Sequence, residues 1–265
     1  TLATWDTSQL APNQFYALRL VAREQGRVVS ESVTRMIYLE GRLKPGWPQY
    51  LPVAGDFPKE DWRDFVVADL DGDGRQEIIL VDPADSEGKI ARLLVYGCDG
   101  DLRWTKELNT GPPYADIPVV GDLDGDGRQE IFVDVGARLF GFRFDGSPLP
   151  GRWPVALAAG GLGKVLADLD GDGKKELIGL SESFTSLEGT PTRLLLVFDG
   201  DGNLLRRWSL AGCEVEVTAT RVFPAVGNLD EEPDLEIVAA SSCYELSAFK
   251  MADPAEPLWR ARTEG

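Results

Sequence analysis

The 265-residue chain carries 44 Asp plus Glu against 27 Lys plus Arg and no histidine, a formal net charge of −17. Without histidine there is no Ser-His-Asp or Cys-His nucleophile, no His-ligated zinc and no imidazole proton shuttle. The acidic balance excludes the clustered cations that a nucleic-acid partner needs, and no apolar run nears the ~20 residues that span a bilayer.

The length accommodates one or two domains. Because the chain opens on Thr1 without a basic-then-apolar leader, it is read as an interior piece of a longer or processed protein. Residues 1–40 read as a hairpin, Phe15 to Ala22, then Gln25-Gly26, then Val33 to Leu39. Two or three strands cannot bury a core alone, so this is either the tail of a preceding β-sandwich or a strand pair lent to the structure downstream. Residues 41–48, with Pro45 and Pro48, form the expected linker.

From residue 49 the chain repeats itself. Asp69-Leu70-Asp71-Gly72-Asp73-Gly74-Arg75-Gln76-Glu77 recurs from Asp122 to Glu130 and from Asp168 to Glu176, and in decayed form from Asn228 to Glu236. Trp47, Trp104, Trp153, Trp208 and Trp259 keep the same beat, several following an aromatic strand and an Asp-Gly turn such as Asp99-Gly100, Asp145-Gly146 or Asp199-Gly200. These tryptophans read as core or blade-edge packing rather than a ligand platform. Between the marks lie short β-branched or aromatic runs, Phe65 to Ala68, Ile78 to Val81 and Leu93 to Tyr96 among them, and no helical period survives without Gly or Pro. About four strands per unit of roughly 50 residues predicts an all-β chain of propeller blades at 49–106, 107–154, 155–209 and 210–265.

The repeated loop has the chemistry of a hard-cation site. Acids at positions 1, 3, 5 and 9 converge on one point, Gly at position 6 turns the chain, and position 7 offers its carbonyl. The expected ligands are Asp69, Asp71, Asp73, Arg75 and Glu77; Asp122, Asp124, Asp126, Arg128 and Glu130; and Asp168, Asp170, Asp172, Lys174 and Glu176. Arg75, Arg128 and Lys174 serve through their carbonyl oxygens. About three Ca²⁺ ions are expected, because six or so oxygens at this spacing favour Ca²⁺ over Mg²⁺. The alternative is a polar Asp-Gly hairpin without an ion, but four carboxylates in nine residues repel one another strongly without a counter-charge. An EF-hand needs Glu at position 12, where Leu80, Val133 and Gly179 stand. In the fourth copy Asn228, Asp230, Glu232 and Glu236 remain as donors, but Pro233 replaces the turn glycine and cannot take positive φ. No metal is expected there. Cys98, Cys213 and Cys243 form no zinc spacing; they are small thiols, or Cys213 and Cys243 pair.

The Asp-Leu-Asp-Gly-Asp-Gly-x-x-Glu loops resemble the calcium-binding repeats of integrin alpha-chain amino-terminal domains, the FG-GAP or VCBS repeats of surface proteins. The resemblance covers about residues 46 to 260. Asp145-Gly146-Ser147-Pro148-Leu149-Pro150-Gly151-Arg152-Trp153-Pro154 is similar to the blade ending of secreted bacterial members, and residues 1–39 resemble the last strands of Ig-like modules in bacterial secreted proteases and surface proteins. The resemblance implies calcium held in blade hairpins, with binding carried by other loops; propellers of the family usually have seven blades, whereas four are visible here, so the ring is either small or incomplete. The Phe-Gly and Gly-Ala-Pro cage residues of true integrin repeats are absent, so integrin-like ligand recognition does not carry over.

The expected function is a secreted or cell-surface, calcium-stabilised binding, adhesion or scaffold module and not an enzyme. Its partner is an extracellular protein or glycan met through the loops Asp82 to Lys89 and Ser181 to Thr192. Two alternatives stand beside it: an accessory propeller of a secreted polysaccharide lyase or subtilisin-like protease, or a self-assembling subunit of an extracellular filament or surface layer.

Overall fold

The computed structural model describes residues 10, 14–24, 27–39, 65–83, 90–109, 117–157, 162–181, 184–185, 191–210, 222–230, 232–241, 245–253 and 256–262. Two compact units divide the chain, residues 1–50 and 51–265. In the first, β1 (Gln14–Glu24) pairs antiparallel with β2 (Arg27–Leu39), Tyr16 opposite Ile37 and Glu24 opposite Arg27. The expected linker 41–48 with Trp47, and the cysteines Cys213 and Cys243, lie outside the described residues.

The second unit contains four antiparallel meanders in chain order. The first sheet is β3 (Phe65–Ala68), β4 (Glu77–Pro83), β5 (Ile90–Gly97) and β6 (Leu102–Asn109). The second is β7 (Val119–Gly121), β8 (Glu130–Val135), β9 (Arg138–Phe142) and β10 (Val155–Ala156). The third begins with β11 (Leu162–Ala167) and β12 (Glu176–Ser181); the two-residue β13 (Phe184–Thr185) then adds to β14 (Pro191–Phe198), which pairs with β15 (Leu204–Leu210). The fourth is β16 (Ala225–Gly227), β17 (Glu236–Ala240), β18 (Glu245–Phe249) and β19 (Trp259–Arg262). Among the described residues there is no helix, and so none long and apolar enough to cross a membrane.

The core lies between successive sheets, and strand alternation divides it. From β8, Ile131, Val133 and Val135 join Leu70, Ile79, Leu93 and Val95 of the first sheet, while Phe132 joins Leu177, Leu196 and Phe198 of the third. From β12, Leu177 faces the second sheet, and Ile178 and Leu180 face Ile237 and Phe249 of the fourth. Strands β8 and β12 are therefore buried along their whole length. That explains why they read as continuous apolar runs rather than an alternation. Each such Leu, Ile or Phe contributes about 1.5–3 kcal/mol by leaving water.

The tryptophans do more than pack. Trp104 Nε1 donates to the Phe144 carbonyl and Trp153 Nε1 to the Gly200 carbonyl, both at 2.9 Å, so each reaches the turn of the following sheet. Trp208 is buried against Phe249, ring centroids 5.1 Å apart, whereas Trp259 on the last strand is 40% exposed.

The expected contact loops begin later than the sequence indicates. Asp82 lies within β4, wholly buried, with its Oδ2 3.1 Å from Arg92, and Ser181 ends β12 with its hydroxyl accepting the Leu194 N–H. Residues 84–89, 182–183 and 186–190 of those loops lie outside the described residues.

The backbone just ahead of the fourth sheet passes close to Gly163 on β11, where an added Cβ would meet the Val222 carbonyl oxygen at 2.0 Å. Backbone cannot swing aside as a flexible side chain can. Gly163→Ala is expected to cost about 1–3 kcal/mol in urea unfolding; an unchanged midpoint would show that this contact is not maintained in solution.

Candidate metal centre

Each of the first three sheets opens with the same corner: its first strand, the acidic loop, then its second strand. The loop is folded by its own aspartates. At position 1, Asp69 Oδ1 accepts the Gly72 N–H at 2.9 Å and Oδ2 the Gly74 N–H at 2.8 Å. Asp122 and Asp168 repeat this pair of bonds at 2.7 and 3.0 Å, and at 2.7 and 2.9 Å. The glycines accept it because both sit at positive φ, 77° and 85° at Gly72 and Gly74, where a Cβ is disfavoured.

Position 9 closes the corner from the next strand. Glu77, Glu130 and Glu176 accept, through Oε2, the N–H of Leu70, Leu123 and Leu169 at 3.1, 2.7 and 2.9 Å. Those leucines are buried in the core, so each glutamate is carried inward with them. Burial, with the loop's three aspartates adding to it, raises the pKa of all three glutamates, and that of Glu130 to about 7. A carboxylate stripped of water beside three others calls for a cation.

The structure brings together three trios, Asp69 with Asp71 and Glu77, Asp122 with Asp124 and Glu130, and Asp168 with Asp170 and Glu176. In each, one oxygen per residue lies within 4.8 Å of the others. Asp73, Asp126 and Asp172 stand outside these trios; their Oδ1 atoms accept the N–H of Arg75, Arg128 and Lys174 at 2.7, 2.8 and 2.8 Å. The side chains of Arg75 and Arg128, at position 7, leave the loop: Arg75 reaches Asp99 at 3.3 Å, and the Arg128 guanidinium lies 4.7 Å from the centre of the Phe144 ring. An all-oxygen set of this kind fits a hard divalent cation and offers nothing to a soft one.

Residues 69–133, which span the first two corners, match the FG-GAP-like repeat family. A segment of the chain is also 35% identical over 97 residues to the rhamnogalacturonan endolyase YesW of Bacillus subtilis (strain 168), a match covering 30% of this chain and 16% of the lyase. The biofilm matrix protein Bap1 of V. cholerae aligns in structure with a TM-score of 0.47 and 18% identity, over 76% of this chain and 28% of that protein. The chain thus spans a small part of either relative.

The corners are also joined to one another. Position 8 of each loop donates its N–H to the position-2 carbonyl of the loop before it: Gln129 to Leu70 at 3.0 Å, Lys175 to Leu123 at 3.2 Å and Leu235 to Leu169 at 3.2 Å. The fourth, decayed corner therefore stands in the same row. It keeps the glutamate lock, Leu229 N–H to Glu236 Oε2 at 2.6 Å, but holds a lysine. Lys250 Nζ lies 2.7 Å from Asp230, 2.9 Å from Glu232, 3.7 Å from Asp234 and 3.4 Å from Glu236. These bonds, to Asp230 first and then Glu232, raise the lysine pKa, and the same lysine lowers that of Asp230. Loop spacing gives no hint of Lys250. Its signal is positional: it follows Phe249, which faces Ile237 as Tyr96 faces Ile78, Phe142 faces Ile131 and Phe198 faces Leu177. After those three aromatics stand Gly97, Arg143 and Asp199.

Proposed function

We propose that the chain is an extracellular, calcium-stabilised module of β-propeller blades that binds or displays rather than catalyses. The observation that carries this is the same acidic trio at the same corner of three successive sheets. A trio placed at a hairpin corner, with its glutamate tied to a core leucine, serves stability: a cation there clamps two strands and the core residue between them. The four meanders in chain order, each packed on the next, are what consecutive blades require. Partner contacts fall to an extracellular protein or glycan.

Calorimetric titration of Ca²⁺ into the chelator-stripped chain is expected to give about three sites. A single site filled a hundredfold above its dissociation constant adds about 2.7 kcal/mol, which raises the melting midpoint by about 5–10 °C in a domain of this size. Absence of both binding and thermal shift would refute the proposal.

The likeness to a rhamnogalacturonan endolyase favours a second reading, an accessory module within a polysaccharide-degrading enzyme. Formation of unsaturated product from rhamnogalacturonan, followed by its ultraviolet absorbance, separates the two: activity in this chain alone would replace the binding role with a catalytic one.

A further inference from the structure

The fourth corner departs from the other three in a concerted way. Position 1 changes from Asp to Asn228, whose side-chain amide donates to the Glu232 carbonyl, and position 6 changes from Gly to Pro233. Yet acids remain at positions 3, 5, 7 and 9 as Asp230, Glu232, Asp234 and Glu236. Had the corner simply lost its cation, four carboxylates would face one another, one of them fully buried. Glu236 is 0% exposed and its Oε1 has no hydrogen-bond donor. The charge that faces this oxygen is the Lys250 ammonium at 3.4 Å, on a side chain itself only 9% exposed.

We infer that the Lys250 ammonium is the resident cation of the fourth corner, seated where the other corners gather their acids for a divalent ion. The corner is therefore a latent Ca²⁺ site that the chain itself keeps filled. The geometry is specific on this point: the ammonium pairs with the side chains of positions 3, 5, 7 and 9. A surface lysine meeting a single acid would be worth little, whereas a tethered cation shared by four acids, one of them buried, neutralises much of the charge the cluster gathers. The consequence is a division of labour along the row. The first three corners depend on free calcium, while the last is closed at any calcium concentration and offers its Leu235 N–H to the third corner regardless.

This inference rests on the reading of the first three corners as calcium sites, and the experiment separates the two. Calcium is titrated by calorimetry into the full chain carrying Pro233→Gly, and into Pro233→Gly with Lys250→Met. The first is expected to bind as many ions as the unchanged protein, the second about one more. A gain from Pro233→Gly alone, or no gain in the double variant, overturns the inference. Melting in excess chelator supplies a readout without metal: Lys250→Met should melt several degrees below the unchanged protein, whereas Lys250→Arg should melt near it. A Lys250→Met midpoint equal to the unchanged protein's in chelator also overturns it. If the unchanged protein binds no calcium at all, the proposal for the first three corners fails, and the chelator comparison of the two Lys250 variants still decides the role of the lysine.

Discussion

Asp134→Ala is expected to destabilise the chain by about 3–5 kcal/mol, read as a lowered urea midpoint. Asp134 on β8 and Lys164 on β11 form an ion pair between the second and third sheets, their side chains 0% and 1% exposed. The aspartate shares its strand face with Phe132, two residues earlier, which packs among Leu177, Leu196 and Phe198. Truncating the acid takes the Asp134 carboxylate away from a buried ammonium, and removing one member of a buried pair costs more than the attraction lost. The control is the pair replaced together. Asp134→Val with Lys164→Met removes both charges and should recover most of the loss, because well-packed apolar side chains are often as stable as a buried pair. A double variant as damaged as the single one would show that packing volume at this interface, and not charge, sets the cost.

Much of the second unit is legible in the sequence because metal chemistry and hairpin geometry each fix residue types at fixed spacing. An oxygen trio with two glycines at positive φ can be written in few ways, so Asp69 to Glu77, Asp122 to Glu130 and Asp168 to Glu176 announce both the loop and the strands beside it. The strands run longer than their apolar runs: β4 continues to Pro83 and β5 starts at Ile90, because Asp82 and Arg92 look like loop residues until their pairing is seen. What the sequence withholds are contacts between segments far apart along the chain. Nothing local ties Asp134 to Lys164, Gly163 to Val222, or Lys250 to the acids at 230–236. Each partner is ordinary in its own strand and acquires meaning only when two sheets, or two ends of one sheet, are brought together. Asp73, Asp126 and Asp172 are a local case. Spacing alone groups them with the other acids, while the folded loop turns one oxygen of each to the backbone two residues on.

Trp153→Ala should rank with Asp134→Ala, costing about 3–5 kcal/mol. The indole is 9% exposed and meets Phe132 at 5.1 Å between centroids, tilted by 53°. Both flanking sheets leave room for it through glycine: an added Cβ would lie 3.1 Å from the ring at Gly141 of the second sheet and 3.2 Å at Gly202 of the third. Glycines on two sheets cannot close the space that a missing indole leaves, so the cavity persists and its cost adds to the lost transfer energy. Trp153→Phe separates the contributions. It keeps most of the ring contact and loses the 2.9 Å bond to the Gly200 carbonyl, so it should cost about 1–2 kcal/mol. If Trp153→Phe proves as damaging as Trp153→Ala, the hydrogen bond to the neighbouring turn outweighs the packing. The periodic tryptophans would then be clips between sheets first and core second, a role that Trp104, with its own bond to the Phe144 carbonyl, should share.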